Sequence, residues 1–361
     1  MGKQLKIFFD FLRFSIGSVK EIPDSLKEAD WKELYAIAKK QCLVGVLFDG
    51  IKKLPAEYVG MKKELLLQWM AESQMLEKAN ARLNDAAIQV SEWFRKKGFR
   101  TCILKGQGNA LMYPNPNSRT PGDIDIWVEG GDKRVISFVS SISPHEKACY
   151  HHIEFPSYKG IEVEVHYRPS FLLCFWHNRK LQEYYERVKE EQFSHRVMLG
   201  EQGEVAIPTA EFNVIFQLTH IFTHLMNEGI GLRQLLDYYY VLISDDLLLI
   251  RDRVQKELKE LGLWKFAGAI MYIMQEVFCM PASRLIVPPN EKYGKFVLNE
   301  VLEAGNFGKH DARNRFGNSP LGHNLQRVYR DMRLVRYFPA EALCEPIFRT
   351  WHFFWRMKNK K

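Results

Sequence analysis

Apolar residues first recur at helical spacing. Leu76, Ala79, Leu83, Ala87, Val90 and Phe94 stand three and four apart and predict one apolar stripe on a long helix. Gly98 follows Arg95, Lys96 and Lys97, a glycine stop with cations near the negative helix end. Pro23 and Pro55 break earlier pieces, so residues 1–98 predict a helical segment. The period then changes. "FRTCIL" is a short β-type run, and "DIDIWV" alternates with Asp123, Asp125 and Trp127 on one face and Ile124, Ile126 and Val128 on the other. "GIEVEVHYR" sets Glu162, Glu164 and His166 against Val163, Val165 and Tyr167, and "RVMLGEQGEVAIP" predicts a hairpin turning at Gly200 and Gly203. Helical pieces interrupt at about 132–142 and 176–191. From Pro208 onward the helical period returns in "AEFNVIFQLTHIFTHLMNEG" and "LRQLLDYYYVLI", with joints around 281–290 and 305–322. The expectation is an α+β protein: a mixed α/β core over 99–208, a helical segment before it over 1–98, and an all-helical domain after it over 209–361.

Composition narrows the class without choosing a function. The 361 residues, 46% apolar, suffice for two or three domains and exclude a disordered chain. Fifty-one basic against 43 acidic residues give +8, which suits an anionic partner (nucleotide, RNA or anionic lipid) without demanding one. The six cysteines form no CxxC pair, so zinc ribbons and thioredoxin-like sites are not indicated. Asp10 and Arg13 interrupt the N-terminal apolar run, and no uncharged apolar stretch reaches 18 residues, so neither a signal peptide nor a transmembrane helix is expected. A reducing cytoplasm is the expected compartment. The aromatic, basic C-terminus "FRTWHFFWRMKNKK" predicts a terminal helix docked on the core.

Chemistry gathers in residues 103–166. Two carboxylates one residue apart on a strand repel unless they are solvated or bridged by a cation. Hard divalent cations such as Mg²⁺ take one or two carboxylates and leave other positions to phosphate oxygens and water. A third carboxylate from a neighbouring strand allows two ions; Glu164 is the candidate and Glu162 its rival. Upstream, Gly106 and Gln107 in "LKGQG" make a turn whose backbone N–H groups can approach phosphate. Lys105 neutralises charge there, and Arg119 stands in the loop before the aspartates.

These residues resemble the signature of the polymerase-β-like nucleotidyltransferase superfamily, and within it the bacterial branch known as nucleotidyltransferase family proteins. The matching positions are Leu104, Lys105 and Gly106, then Tyr113, Arg119, Asp123 and Asp125, then Glu164 and His166. The resemblance implies an NTP site, two Mg²⁺ (or Mn²⁺) ions on Asp123, Asp125 and Glu164, and a helical domain against the core. Most of the superfamily places Gly-Ser or Gly-Gly at the phosphate turn; this chain has Gly106-Gln107 and then fifteen residues before Asp123. Phosphate contact would therefore come from backbone N–H groups, Lys105 and Arg119. The expected reaction is NMP transfer from an NTP to an acceptor hydroxyl. The acceptor is open among small molecule, protein and RNA. The alternative is a catalytically degenerate fold that binds nucleotide or RNA.

The helical region adds candidates for the acceptor side. His220 and His224 stand one turn apart, but Ile221 occupies the position of the glutamate in HExxH, which removes the zinc-protease reading. Asn213, Gln217, His220 and His224 form a polar stripe, facing either a cleft or a hydrogen-bonded helix contact. Arg233 and Asp237, four apart, suit an intrahelical pair or a substrate contact. His310-Asp311 reads as a surface loop and His151-His152 as a polar strand edge.

Overall fold

The computed structural model describes residues 2–200, 203–244, 247–309, 311, 313 and 320–358. His310 therefore lies outside the described residues. The chain is α+β. Helices α1 (Lys3–Ile16), α2 (Trp31–Lys40) and α3 (Val44–Ile51) lead into α4 (Lys63–Lys96), which at 34 residues runs roughly 50 Å. The apolar stripe from Leu76 to Phe94 is the C-terminal part of this helix; its N-terminal part carries the buried Trp69, which donates to Val44 O at 2.9 Å.

Strands β1 (Thr101–Ile103), β2 (Ile124–Val128), β3 (His152–Tyr158) and β4 (Ile161–His166) form one sheet in the order β1-β2-β4-β3. β2 and β4 are parallel, and the outer pairings are antiparallel. The short α5 (Gln107–Ala110) precedes β2, and the crossover between the parallel pair runs through α6 (Gly131–Ile142) and then through β3. β3 turns into β4 at Lys159 and Gly160, both with positive φ, as a two-residue hairpin requires.

Strand alternation divides the sheet into two faces. Ile124, Ile126 and Val128 join Val163, Val165, Ile153 and Ile103 in a core closed by Val90 and Phe94 of α4 and by Val135 and Val139 of α6. The opposite face carries Trp127, which packs on Phe193 and Phe212 at 4.6 and 5.9 Å between ring centroids. Those rings belong to α7 (Phe175–Ser194) and α8 (Ala210–Asn227). The second face is thus covered by helices, not by water, and all of β2 is buried.

A small hairpin, β5 (Arg196–Met198) with β6 (Glu204–Ala206), precedes α8. Beyond it follow α9 (Leu232–Leu242), α10 (Leu247–Glu260), α11 (Trp264–Phe278), α12 (Glu291–Ala304), α13 (Pro320–Leu334) and α14 (Pro339–Lys358). One hydrophobic cluster joins the N-terminal helices to these C-terminal ones. Arg13 donates to Glu276 O and Val277 O at 2.5 and 3.3 Å, and Lys40 to Leu302 O at 2.8 Å, so the two helical flanks meet beside the sheet.

Candidate active site

Parallel pairing puts Asp125 level with Glu164, and the antiparallel neighbour puts Glu154 level with both. The three side chains share the face that carries Trp127, and Glu154 is exposed. Asp123 precedes β2 by one residue. Oxygens of Asp123, Asp125 and Glu164 lie within 4.8 Å of one another; Glu162, exposed, is outside that group.

Two cations already face Asp125. Lys105 follows the end of β1, where Leu104 N donates to Asp125 O at 3.0 Å, and its Nζ reaches Asp125 Oδ1 at 3.0 Å. His166 Nε2 stands 3.0 Å from the same oxygen and 3.3 Å from Glu164 Oε2. Its Nδ1 donates to Arg168 O at 3.3 Å, so both ring nitrogens act as donors, as in an imidazolium. Burial alone lowers the His166 pKa, but hydrogen bonds to Asp125 and Glu164 outweigh it and push the pKa up to about 9. Burial alone would raise Asp125; Lys105 and His166 outweigh burial and hold it well below the usual carboxylate range. Asp123 lacks such partners. Repulsion by Asp125, then burial, pushes it up to about 6.

Asp125 Oδ2 is buried without a hydrogen-bond partner. A bare carboxylate oxygen is costly unless something cationic meets it. Asp125 lines a cleft of about 860 Å³ between the sheet and the C-terminal helices, together with Asp123, Glu164 and Gly106. An all-oxygen donor set of three carboxylates fits Mg²⁺ or Mn²⁺.

Residues 27–279 match the family described as uncharacterised nucleotidyltransferase. The chain belongs to that family. Among solved structures, a similar one is an antigenic nucleotidyltransferase-like protein from Paracoccidioides brasiliensis, at 14% identity and TM-score 0.28, over 52% of this chain and 92% of that one. No curated protein matches the chain.

In this family member the loop before Asp123 is pinned from two sides. Arg119 donates through Nε and Nη2 to the two oxygens of Asp237 on α9, each at 2.8 Å; Tyr113 Oη adds 2.7 Å and Asn109 Nδ2 3.4 Å. From α4, Asn80 Nδ2 donates to the carbonyls of Asn117 and Arg119. Gly45 of α3 allows the loop this close, since a Cβ there would sit 2.3 Å from Ser118 O. The guanidinium that the sequence offered to a triphosphate is thus engaged by Asp237. The intrahelical Arg233–Asp237 pair does not form. Arg233 Nη1 instead donates to Thr120 O at 3.0 Å, and its buried Nε has no partner.

Gln107 turns away from the cleft and hydrogen-bonds Asn84 of α4. The polar stripe of α8 divides. Gln217 donates to Asn109 and Asn213, both at 2.8 Å, and lines the cleft with His220 and His224, while Asn213 does not. Lys105 Nζ lies 3.2 Å from His220 Nε2, so this imidazole accepts; burial, then Lys105, keeps its pKa well below the ordinary value.

Sequence reasoning missed the part played by β3. His151-His152 is not a solvated strand edge: His152 Nδ1 lies 3.8 Å from Glu164 Oε2, and both histidines line the cleft. Burial, then His166, pushes the His152 pKa down to about 4. The available signal was its phase. His152 pairs with His166, so two histidines and two glutamates face one another across β3 and β4.

Proposed function

We propose that the chain transfers a nucleoside monophosphate from an NTP to an acceptor hydroxyl. The carrying observation is the Asp123–Asp125–Glu164 cluster lining a large cleft, with one buried oxygen of Asp125, Oδ2, left without a hydrogen-bond partner. In the reaction, the acceptor oxygen loses its proton and forms a bond to the α-phosphorus. The bond from that phosphorus to the bridging oxygen breaks, and pyrophosphate leaves with its electron pair. Asp123, Asp125 and Glu164 would hold the two divalent ions, which would supply charge neutralisation on the phosphates and acidify the acceptor hydroxyl.

The chain's own groups do the rest by positioning and charge. Lys105 exchanges part of its contact with Asp125 for a phosphate oxygen. His166 keeps Asp125 and Glu164 ionised and fixed. Glu164, at the acceptor side, takes the hydroxyl proton. Gly106 has φ +68 and keeps the turn free of a side chain beside the backbone of Asp123. Arg119 acts through Asp237 by setting the loop that delivers Asp123. Arg233, with its free Nε, takes the phosphate-side role that the sequence gave to Arg119, and His220 and His224 stand toward the acceptor. The unit over 99–208 supplies the metal-holding carboxylates and Lys105, and the helices after 209 add Arg233 and close the cleft.

One observation favours a second reading. Asp125 already faces two internal cations, as suits a nucleotide-binding protein that no longer turns over. The experiment is a thermal-shift screen of four NTPs with Mg²⁺ or Mn²⁺, run with pyrophosphate detection in cell extract as acceptor source. The expected result is metal-dependent stabilisation by an NTP, with pyrophosphate release, both absent from D123A/D125A. Stabilisation without release in any extract selects the second reading. No stabilisation by any NTP overturns both.

A further inference from the structure

We propose that Cys174, His177, Glu341 and Cys344 form a structural Zn²⁺ site that clamps α14 onto the N-terminus of α7, remote in chemistry from the all-oxygen cluster and independent of nucleotidyl transfer. Cys174 is the residue before α7 and His177 follows three later; Glu341 and Cys344 stand three apart in the first turns of α14. Residues three apart share a helix face. Two such pairs, C-x₂-H and E-x₂-C, therefore converge from helices that lie more than 160 residues apart along the chain.

The donor atoms of Cys174, His177 and Glu341 lie within 4.8 Å of one another. Zinc holds sulfur at about 2.3 Å and nitrogen or oxygen at about 2.0–2.2 Å in a tetrahedron, so its ligands stand roughly 3.2–3.8 Å apart. For these three donors a shift of about an ångström reaches that spacing. Each ligand is set in place. Glu341 Oε2 accepts from the backbone N–H of Leu173 and Cys174 at 2.6 and 2.9 Å, and Oε1 remains toward His177 Nδ1 at 3.1 Å. Holding one carboxylate oxygen by backbone donors while the other faces the ion is the usual outer-shell arrangement. The His177 ring rests on Gly262, where a Cβ would come within 2.4 Å of Cε1.

Cys174 is buried, and the Cys344 thiol packs against it; burial first, then Cys174 and Glu341, push the Cys344 pKa up to about 11. A carboxylate that only capped α7 would have no use for an imidazole on its second oxygen and a cysteine thiol beside it. Thiolate and imidazole donors select zinc over magnesium. The chemical consequence is that two thiols release protons as the ion binds.

The test uses the full chain purified under reducing conditions, with Co²⁺ as the spectroscopic probe and zinc content read by mass spectrometry. The expected result is co-purified zinc that strong chelators remove with a fall in melting temperature. Co²⁺ added to the stripped protein should then give a thiolate charge-transfer band and tetrahedral visible bands. D123A/D125A should keep both bands. C174S should lose the charge-transfer band, and E341Q, which retains an acceptor for the backbone donors, should weaken Co²⁺ binding about tenfold or more. Wild-type protein without a charge-transfer band, or a band unchanged in C174S, overturns the site. So does a Cys174–Cys344 disulfide in protein that takes up no Co²⁺ after reduction. Should C174S fail to fold, the wild-type titration decides alone.

Discussion

Two buried ionic clusters stand on either side of the 113–123 loop, and they are built to opposite plans. At Asp237 every carboxylate oxygen is met: Arg119 takes both in a fork, and Tyr113 and Asn109 complete them. At Asp125 one oxygen receives both Lys105 and His166 while the other receives nothing. The first arrangement leaves no valence for a ligand and fixes a loop. The second stores repulsion among three carboxylates that line a cleft and leaves one buried acceptor unpartnered. Asp237 and Asp125 are both buried carboxylates that face cations; the difference is whether the hydrogen-bonding capacity is exhausted, and that separates a strut from a site.

The largest effect is expected at the strut. Removing one partner of a buried ion pair leaves the other charge uncompensated, at a cost of about 3–5 kcal/mol. Asp237→Ala strands Arg119 and should lose that much stability in urea unfolding. Metal affinity at Asp125 should survive in the fraction that remains folded. A loss under about 1 kcal/mol would mean that Arg119 finds another partner and that the loop does not depend on α9.

Next comes Lys105, which belongs to the open cluster. Lys105→Met keeps the length and removes the charge. Losing one charge-assisted phosphate contact costs about 2–3 kcal/mol, on the order of a hundredfold in pyrophosphate release. The melting temperature should move far less than in Asp237→Ala, because His166 still faces Asp125 Oδ1. An unchanged release rate would remove Lys105 from the phosphate side and sharpen its role to neutralising Asp125.

The open cluster was partly legible in the sequence and the strut was not. Strict alternation in "DIDIWV" and "IEVEVH" gave the phase of Asp125, Glu164 and His166, because a period of two is local. Which strand pairs with which is not local: the parallel register that sets Asp125 beside Glu164 comes from a crossover. Arg119 and Asp237 are 118 residues apart, and each looked locally like something else, a phosphate clamp and an i,i+4 partner. β3 was hidden by Pro156, which argues against a strand interior. It is tolerated here because β3 is an edge strand and bulges between Phe155 and Tyr158. With β3 unread, His152 had no sheet partner to reveal it.

The smallest effect is the most specific to the open cluster. Asp123 carries a carboxyl raised from its ordinary 3.8 to about 6, first by Asp125 and then by burial. A carboxyl whose folded pKa is raised binds more protons folded than unfolded, so its contribution favours the fold below about pH 4 and is lost as pH rises through 6. Metal-free wild type should therefore lose stability relative to Asp123→Asn between pH 4 and 6, and melt slightly below it at pH 7.5. Mg²⁺ should reverse the order at pH 7.5, since the ion meets the charge that repulsion left unpaired. The measurement is a pair of melting curves across pH with chelator or with Mg²⁺. A variant that melts lower than wild type at pH 7.5 in chelator would show Asp123 satisfied as Asp237 is, and the contrast between strut and site would fail at the one carboxyl that repulsion by Asp125 raises.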